Sequence, residues 1–287
     1  MTPRPLSPLG WAALLLALGV ALFPLYWVAM TSIKPPAEWS VSPALWTPQT
    51  PTVDNYRVLF DPGAVQGKGL GGVSASATHA VVGSLITSIS ATVISVVLGL
   101  AAAVGIVRYA QGGSPRAALN ILSGRMFPPA AIAVPFVVVF ATVGLIDSYA
   151  GLVLVYVAVT LPFSTWMLKS FVEEVPREVE EAAMLDGRSR IAAQLRVTVP
   201  LIRGGLLATA LFVFILNWSE FLLAQVLSYT RVITIPVQLA KYVTATAGTL
   251  FGVQAALAVL AAAPLVLAGY AIQGHLVRGM TFGAVKR

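Results

Sequence analysis

Long apolar segments alternate with short polar segments along most of this 287-residue chain. Six of the apolar segments reach the roughly 20 residues that a helix needs to cross the hydrocarbon core of a bilayer. Their predicted limits are residues 9–30, 80–107, 119–146, 150–172, 204–227 and 253–276. The pattern predicts an all-α membrane protein in which about six transmembrane helices form a single domain over residues 1–287.

The composition indicates the same class of protein. Hydrophobic residues make up 57% of the chain and charged residues 10%, whereas a soluble domain usually carries about 25% charged residues. This number of charged residues is too small to cover the surface of a soluble protein. Lipid must therefore form part of the solvent. The first apolar segment, Leu9–Met30, is longer than the roughly 7–15 apolar residues of a signal peptide and lacks a small-residue cleavage site. We expect it to be retained as the first transmembrane helix.

The positive charges are distributed unequally between the predicted loops. With the N-terminus inside, thirteen of the 18 Lys and Arg residues fall on the cytoplasmic side and the other five outside. Cytoplasmic loops of membrane proteins carry such an excess, so we expect both termini and loop 173–203 to be cytoplasmic. The cations lie between apolar segments rather than along one basic stripe, which argues against nucleic-acid binding. The absence of cysteine excludes disulfides and thiolate metal sites.

The sequence of loop 173–203 predicts two short helices that meet at an angle. Pro176 and the acidic residues after it suit a helix start, because negative charge is favourable near the N-terminus of a helix. Gly187 can adopt the left-handed conformation that ends a helix, and Ser189 can cap a second helix. Pro200 is expected to break this second helix just before the next span. The loop is therefore predicted to be an exposed helix–turn–helix.

A spaced motif within this loop is more specific than its helical pattern. It consists of Glu181-Ala182-Ala183, three residues, Gly187, nine residues and Val197-x-Val199-Pro200. This spacing resembles the EAA signature of the permeases of ABC importers. Nearly the whole chain resembles the MalG-like permeases of the carbohydrate-uptake group, including the stretches Met126-Phe-Pro-Pro129, Trp218-Ser-Glu220-Phe221 and Arg278–Lys286. Ser219 stands where that family usually has Asn.

The resemblance implies a function and a set of partners. The chain would be a non-catalytic permease subunit with a type I ABC importer fold, forming with a second permease the path for a sugar, polyol or related solute. Two cytoplasmic ATPase subunits would bind ATP and Mg, so no cofactor or metal is expected on this chain. An extracytoplasmic solute-binding protein would deliver the solute to a bacterial or archaeal cytoplasmic membrane. The residues that would couple the spans to the ATPase are Glu181, Ala182, Ala183, Gly187 and Pro200.

The fifth predicted span contains an acidic residue, Glu220. A carboxylate within the membrane is costly and usually faces a cavity or another helix. Glu220 is therefore predicted either to line the translocation path or to form an interhelical hydrogen bond, and the sequence leaves both roles open. Its neighbours Asn217 and Ser219 are the other candidates for the path.

The predicted outer loop Ser228–Gly252 is too polar to span the membrane, yet it has an apolar residue at every second position from Ile233 to Leu239. This spacing favours a short extended segment. The resemblance implies that the loop contacts the binding protein, and the residues expected to do so are Pro236, Gln238, Lys241 and Tyr242. The alternative is a loop that packs on the outer ends of its own helices.

Two other classes of membrane protein fit the sequence less well. The alternative function is a secondary transporter driven by an ion gradient, but the spans hold a single clear acidic residue and no internal repeat is evident. A membrane-embedded enzyme would need a paired acid and base or a metal cluster within the spans, and the sequence contains none. The Gly-rich segment 63–72 lacks the spacing of a phosphate-binding loop and has no assigned role.

Overall fold

The computed structural model of the chain describes residues 7–61, 63, 76–109, 123, 128–244 and 248–282. Most of the Gly-rich segment, the first part of the predicted third span with Met126, and the end of the Arg278–Lys286 tail lie outside the described residues. The described residues group into two compact units. One contains the chain up to Thr78 together with Gln238–Ala263, and the other contains His79–Val237 together with the chain from Pro264 onward.

Helices dominate the described structure. In chain order they are α1 (Pro8–Ser32), α2 (Asp54–Phe60), α3 (Thr78–Val104), α4 (Pro129–Thr142), α5 (Tyr149–Glu173), α6 (Arg177–Leu185), α7 (Arg190–Leu201), α8 (Arg203–Trp218), α9 (Leu222–Leu227), α10 (Ile235–Lys241) and α11 (Phe251–Phe282). A turn of 3₁₀-helix lies at Pro36–Glu38, and turns of π-helix lie at Gly105–Tyr109, after α3, and at Gln194–Thr198, within α7. The exception is an antiparallel ribbon of β1 (Val243–Thr244) and β2 (Gly248–Thr249). Apart from this ribbon, the all-α prediction is confirmed for the described residues.

Four of the described helices are long and apolar enough to cross a membrane. They are α1, α3 with its π-turn, α5 and the Phe251–Ala271 part of α11. A fifth span results if α7 and α8, which meet at an angle of 79°, are counted together. The described helices therefore support a multi-pass membrane protein with four or five such helices rather than the full predicted set of six.

Two predicted spans differ from the helices observed. In the third, the described helix α4 has 14 residues, which corresponds to about 21 Å and falls short of a hydrocarbon core of about 30 Å. The fifth predicted span is interrupted, because α8 ends at Trp218 and α9 begins at Leu222. The carboxylate of Glu220 accepts hydrogen bonds from the backbone N–H groups of Leu223 and Ala224. A side chain that satisfies the free N–H groups of α9 makes this interruption stable, and hydropathy gives no sign of it.

The two faces of α3 have opposite character. Its exposed face carries large apolar residues, among them Val82, Ile86 and Val93, whereas its buried residues are, apart from Val96, all Gly, Ala, Ser or Thr. Ser95 is hydrogen-bonded to Thr160 of α5 at 2.9 Å between their hydroxyl oxygens. This is the arrangement expected in lipid, where apolar side chains face outward and small residues let helix backbones approach closely.

In the unit that contains α1, buried polar groups hold the C-terminal end of that helix. The amide of Asn55 donates hydrogen bonds to the backbone carbonyls of Ser32 and Lys34, at 2.9 and 2.8 Å. The ammonium group of Lys34 lies 4.4 Å from the centre of the Trp27 ring, within the range of a cation–π interaction. Gly252 of α11 lies so close to Asn55 that an added Cβ atom would overlap its amide. These contacts join α1, α2 and α11.

The packing of α3 on α5 generates the first prediction. A Cβ atom at Gly99 would lie 3.0 Å from the Cβ of Ser164 and 3.1 Å from the backbone nitrogen of Thr165. We expect Gly99→Leu to destabilise the protein by about 1–3 kcal/mol or more, because the helices must separate to admit the side chain. Thermal unfolding in detergent measures the effect. Gly19→Leu is the matched control, since nothing lies within 4 Å of a Cβ at Gly19; equal melting temperatures for the two variants would contradict the prediction.

Candidate functional site

The loop 173–203 folds into two helices, α6 and α7, joined by a tight turn. Gly187 has a φ of +83°, a left-handed conformation that residues with a Cβ adopt at a cost, and its N–H donates to the carbonyl of Met184 at 3.0 Å. The Ser189 hydroxyl then accepts a hydrogen bond from the N–H of Ala192 at 3.3 Å and caps α7. The predicted turn at Gly187 and the predicted cap at Ser189 are both confirmed. We call this pair of helices the α6–α7 hairpin.

The end of α7 lies further along the chain than the sequence predicts. Pro200 does not break the helix but occupies its last turn, Val199–Leu201. The direction changes by 79° at Ile202, between α7 and α8. Proline is tolerated here because the π-turn Gln194–Thr198 ends just before it, so Pro200 lies near the start of a separate α-helical turn, Val199–Leu201, where its missing N–H costs little. The bend therefore comes two residues after the predicted position.

A buried carboxylate lies at the centre of the hairpin. Glu180 is only 5% exposed. The Arg108 guanidinium donates to both of its carboxylate oxygens through Nε at 2.9 and 3.0 Å, and to one of them through Nη2 at 2.8 Å. Gln194 and Thr198, both in α7, donate to the same carboxylate at 2.8 and 2.7 Å. One side chain of α6 thus holds α7 and the π-turn after α3 together.

The same arginine also reaches the end of α5. Nη2 of Arg108 donates to the backbone carbonyls of Val172 and Val175, at 3.1 and 2.9 Å, and Arg177 donates to the carbonyl of Val107 at 2.8 Å. These bonds satisfy carbonyl groups that a helix end leaves without intrahelical partners. Four elements, α3, α5, α6 and α7, therefore meet in one hydrogen-bonded network.

Electrostatics keeps this network charged at neutral pH. Burial tends to raise the pKa of Glu180, but the hydrogen bonds from Arg108, Thr198 and Gln194 and the charge of Arg108 outweigh burial and lower the pKa below its usual value. A carboxyl group whose pKa is lower in the folded state stabilises the fold at pH values above its unfolded-state pKa. That stability is lost only as the pH falls through the lowered value.

The motif residues occupy different environments within the hairpin. Glu181, Ala182, Gly187 and Pro200 are exposed, whereas Ala183 is buried. Glu181 makes no ion pair with any residue that the structure describes; the buried ion pair belongs to Glu180 instead. Sequence reasoning missed Glu180 and Arg108 because 72 residues separate them, and no local pattern connects positions so far apart.

The surface of the hairpin is unusually apolar for a segment so rich in charge. The side chains of Leu185, Ile191 and Leu195 are 89%, 73% and 60% exposed. A cavity of about 210 Å³ lies between the hairpin and the turn that follows α3. The residues lining it are Arg108, Tyr109, Arg177, Glu180, Glu181, Met184, Arg190, Ala193 and Gln194. The hairpin therefore presents apolar contacts and charged groups side by side.

The three candidates for the translocation path do not share one environment. Asn217 is buried and donates to the Thr92 hydroxyl at 3.3 Å. Ser219 is exposed, and its hydroxyl donates to the carbonyl of Ile215 at 2.7 Å. Glu220 caps α9 and also lies beside the phenol of Tyr156 on α5. The sequence predicted that Glu220 lines the path or forms an interhelical hydrogen bond, and neither prediction included a role in capping a helix.

The outer-loop prediction is corrected in its local structure. The residues with two-residue spacing are not extended, because Ile235–Lys241 forms the helix α10, and the N–H of Ile235 donates to the Ser84 hydroxyl at 2.8 Å. Gln238 and Tyr242 are only 4% and 2% exposed, so neither side chain offers a surface to a partner. Pro236 is partly buried and Lys241 is exposed. Among the predicted contact residues, Lys241 is the accessible one.

Metal-ligand side chains are dispersed in this protein. Among residues 7–61, 76–109, 128–244 and 248–282, no three His, Asp or Glu side chains lie close enough together to hold a metal ion. The carboxylate oxygens of the buried Glu180 and of the partly buried Glu220 accept hydrogen bonds from protein groups.

Comparisons with known proteins agree on a family of transport proteins. The family model described as binding-protein-dependent transport system inner membrane component matches residues 95–282. The chain is 34% identical to the trehalose transport system permease protein SugB of Mycobacterium tuberculosis, over 96% of this chain and 97% of the relative. It is 31% identical to the sulfoquinovosyl glycerol transport system permease protein SmoH of Agrobacterium fabrum (98% and 94%). It is 30% identical to the trehalose/maltose transport system permease protein MalG of Thermococcus litoralis (96% and 94%).

A solved structure supports the fold. The chain aligns with a TM-score of 0.73 to a chain of a bacterial ABC transporter involved in the import of the acidic polysaccharide alginate. The alignment covers 95% of this chain and 99% of that one, at 18% identity. At this identity, the likeness establishes the fold of the chain and not its solute.

The buried ion pair generates the second prediction. We expect Glu180→Ala to destabilise the protein by about 3–5 kcal/mol, because removing one partner leaves the Arg108 charge buried without compensation. Glu181→Ala is the matched control, because the carboxylate of Glu181 is exposed and removing it leaves the Glu180–Arg108 network intact. Thermal unfolding of both variants in detergent measures the difference. A melting temperature for Glu180→Ala equal to that of Glu181→Ala would show that the ion pair does not hold the hairpin.

Proposed function

This chain belongs to the family of binding-protein-dependent transport system inner membrane components, and from that membership we propose how it takes part in solute import. It is a permease subunit of an ABC importer, because relatives that are 30–34% identical over nearly its whole length are named as permeases of transport systems for sugars and sugar derivatives. Its solute is a sugar, a polyol or a related compound that passes between this chain and a second permease. In this assignment the chain itself carries no catalytic site.

The importer that we propose contains four kinds of subunit. Two cytoplasmic ATPase subunits bind ATP and Mg, and an extracytoplasmic binding protein delivers the solute to the pair of permeases. The family description supports the binding protein, and the likeness to a chain of an ABC importer supports the ATPase-driven architecture. In this arrangement six spans cross the cytoplasmic membrane, with both termini in the cytoplasm. In the same arrangement α4 belongs to the third span, and α8 with α9 forms the fifth.

One observation carries the proposed coupling role: the α6–α7 hairpin is held together internally by the hydrogen bonds of Glu180 and exposes large apolar side chains on its surface. Full burial of Leu185, Ile191 or Leu195 against a partner would stabilise the complex by roughly 1.5–3 kcal/mol for each side chain. The small side chain of Ala182 allows a partner backbone to approach, and the exposed carboxylate of Glu181 is available to a basic group. Such a surface suits a cleft on an ATPase subunit.

The buried network converts docking into movement of the spans. Because Glu180 joins α6 and α7 to Arg108, the hairpin moves as one body when the ATPase subunits close. Arg108 in turn bonds to the carbonyl groups of Val172 and Val175, so α3 and α5 follow the hairpin. The hairpin and the attached helices would thus move as a rigid body between two positions, and this movement would link closure of the ATPase subunits to the translocation path.

On the extracytoplasmic side of the membrane, we propose that the outer loop contacts the binding protein. Its exposed residues Tyr229, Arg231, Lys241 and Val243 replace the buried Gln238 and Tyr242 as the expected contacts. For the translocation path, the exposed Ser219 at the break between α8 and α9 is the strongest candidate, and Asn217 and Glu220 position the backbone around it.

The coupling role generates the third prediction. We expect Gly187→Leu to abolish uptake and binding-protein-stimulated ATP hydrolysis while the chain still inserts in the membrane, because a leucine opposes the left-handed turn. Gly187→Asn is the matched control, since asparagine tolerates this conformation, and it should retain most of the activity. Glu181→Lys should also abolish stimulation by placing a positive charge on the docking surface. Full activity of Gly187→Leu and Glu181→Lys at normal expression would remove the coupling role from the hairpin.

The orientation generates the fourth prediction. Because the chain has no cysteine, single cysteines report their side of the membrane without background. An impermeant thiol reagent should label Arg231→Cys in intact cells and should label Arg188→Cys only after the cells are opened, since both residues are exposed. Labelling of Arg188→Cys in intact cells would reverse the proposed topology.

A further inference from the structure

We propose that Asp147 is a positioning residue that fixes the base of the binding-protein contact loop against the turn between α4 and α5. The loop base is residues 228–234, and the turn is residues 143–148. The proposal rests on the proposed function, because it assigns a role in transport to a loop whose partner is the binding protein. It concerns a residue outside the EAA-like motif and outside the candidate path.

The Asp147 carboxylate accepts hydrogen bonds from four consecutive residues of the loop base. The backbone N–H groups of Tyr229, Arg231 and Val232 donate to it at 3.0, 2.9 and 3.1 Å. Thr230 donates twice, through its N–H at 3.1 Å and through its hydroxyl at 2.8 Å. Successive N–H groups that converge on one anion form a concave nest, and here the anion belongs to the protein itself.

The backbone of Asp147 supports the same arrangement. Its φ is +53°, a left-handed conformation that is uncommon for a residue with a Cβ and costs free energy unless its surroundings fix it. Its N–H donates to the carbonyl of Leu227, the last residue of α9, at 2.8 Å. Asp147 therefore binds the loop base from both its backbone and its side chain, and the contacts compensate for the strained conformation.

The charge of this carboxylate persists at physiological pH. Burial tends to raise the pKa of Asp147, but the hydrogen bonds from the backbone of Arg231, Tyr229 and Val232 and from Thr230 lower it far below its usual value. Hydrogen bonds to an ionised acceptor are about twice as strong as those between neutral groups. The carboxylate is therefore ionised at neutral pH, the form that accepts all of these hydrogen bonds.

The loop base is held on a second side by α3. The N–H of Ile235, at the start of α10, donates to the Ser84 hydroxyl at 2.8 Å, and Gly83 leaves room for the carbonyl of Ile233, which a Cβ atom would overlap. The backbone is fixed on both sides, while the side chains of Tyr229 and Arg231 are exposed. The hydrogen bonds from Asp147 and Ser84 therefore fix the backbone of the loop base, and the side chains of Tyr229 and Arg231 remain at the surface, where a partner can contact them.

Asp147→Asn in the complete importer tests the proposal, because asparagine keeps the size but loses the charge that five donors share. We expect the concentration of solute-loaded binding protein that gives half-maximal stimulation of ATP hydrolysis to rise about tenfold or more, relative to the basal rate of the same preparation. Thr230→Val removes the hydroxyl donor alone and should produce a smaller shift. Asp61→Asn is the matched control, since Asp61 bonds within its own loop, to the N–H of Gly63.

Hydrogen exchange of the amides of residues 229–232 gives an independent measure in the same samples. We expect these amides to exchange about tenfold faster in Asp147→Asn and at the wild-type rate in Asp61→Asn. Faster exchange with an unchanged half-maximal concentration would overturn the positioning role, and so would a parallel fall of basal and stimulated rates, which indicates a structural contact alone. If the wild-type importer shows no stimulation by any binding protein, the proposed function fails, and the positioning role fails with it.

Discussion

The packing of the α6–α7 hairpin on the ends of α3 and α5 depends on the burial of one carboxylate, that of Glu180. Glu180 can leave water only because Arg108, Gln194 and Thr198 together replace its hydration, since the desolvation of an ion in a protein interior costs several kcal/mol. That requirement determines where α6 lies, how α7 turns back over it, and which end of α3 the two helices contact. The exposed motif residues can serve a partner because the buried residue beside them already holds the hairpin in place.

Carboxylates that accept hydrogen bonds from backbone N–H groups also occur at three other places where the backbone departs from a long helix. The chain has only 11 acidic residues, and several of them accept hydrogen bonds from irregular backbone. Glu38 accepts from Gln49 and Thr50, Asp147 from the loop base, and Glu220 from the first free N–H groups of α9. At the break between α8 and α9, within the fifth predicted span, unpaired N–H groups are expensive because the bilayer holds little water. Glu38 and Asp147 lie outside the predicted spans, and there one carboxylate that accepts several hydrogen bonds fixes the conformation of the loop around it.

Local signals account for what the sequence predicted well. The long apolar segments are helices, and both the turn at Gly187 and the cap at Ser189 follow from residues within one turn of chain. The misses depend on contacts between distant residues. Arg108 meets Glu180 across 72 positions, and Asp147 meets its loop across more than 80. The alternation from Ile233 to Leu239 covers too few residues to decide between strand and helix, and the hydroxyl of Ser84 that bonds to Ile235 at the start of α10 lies 151 positions away.

These contacts give α3 a specific place in the proposed mechanism. Near one end, Gly83 and Ser84 contact the loop base that we assign to the binding protein. At the other end, Arg108 is held by the hairpin that we assign to the ATPase. Gly83 and Arg108 are 25 residue steps apart, which corresponds to about 37 Å of helix at 1.5 Å per residue, enough to cross a bilayer core of about 30 Å. Because α3 packs against α5 from Ser95 to Ala103, this part of α3 cannot bend far without separating from its neighbour. A displacement applied at Arg108 is therefore expected to reach the loop base as a movement of the whole helix, so in the proposed importer one span would connect the ATPase hairpin with the binding-protein loop.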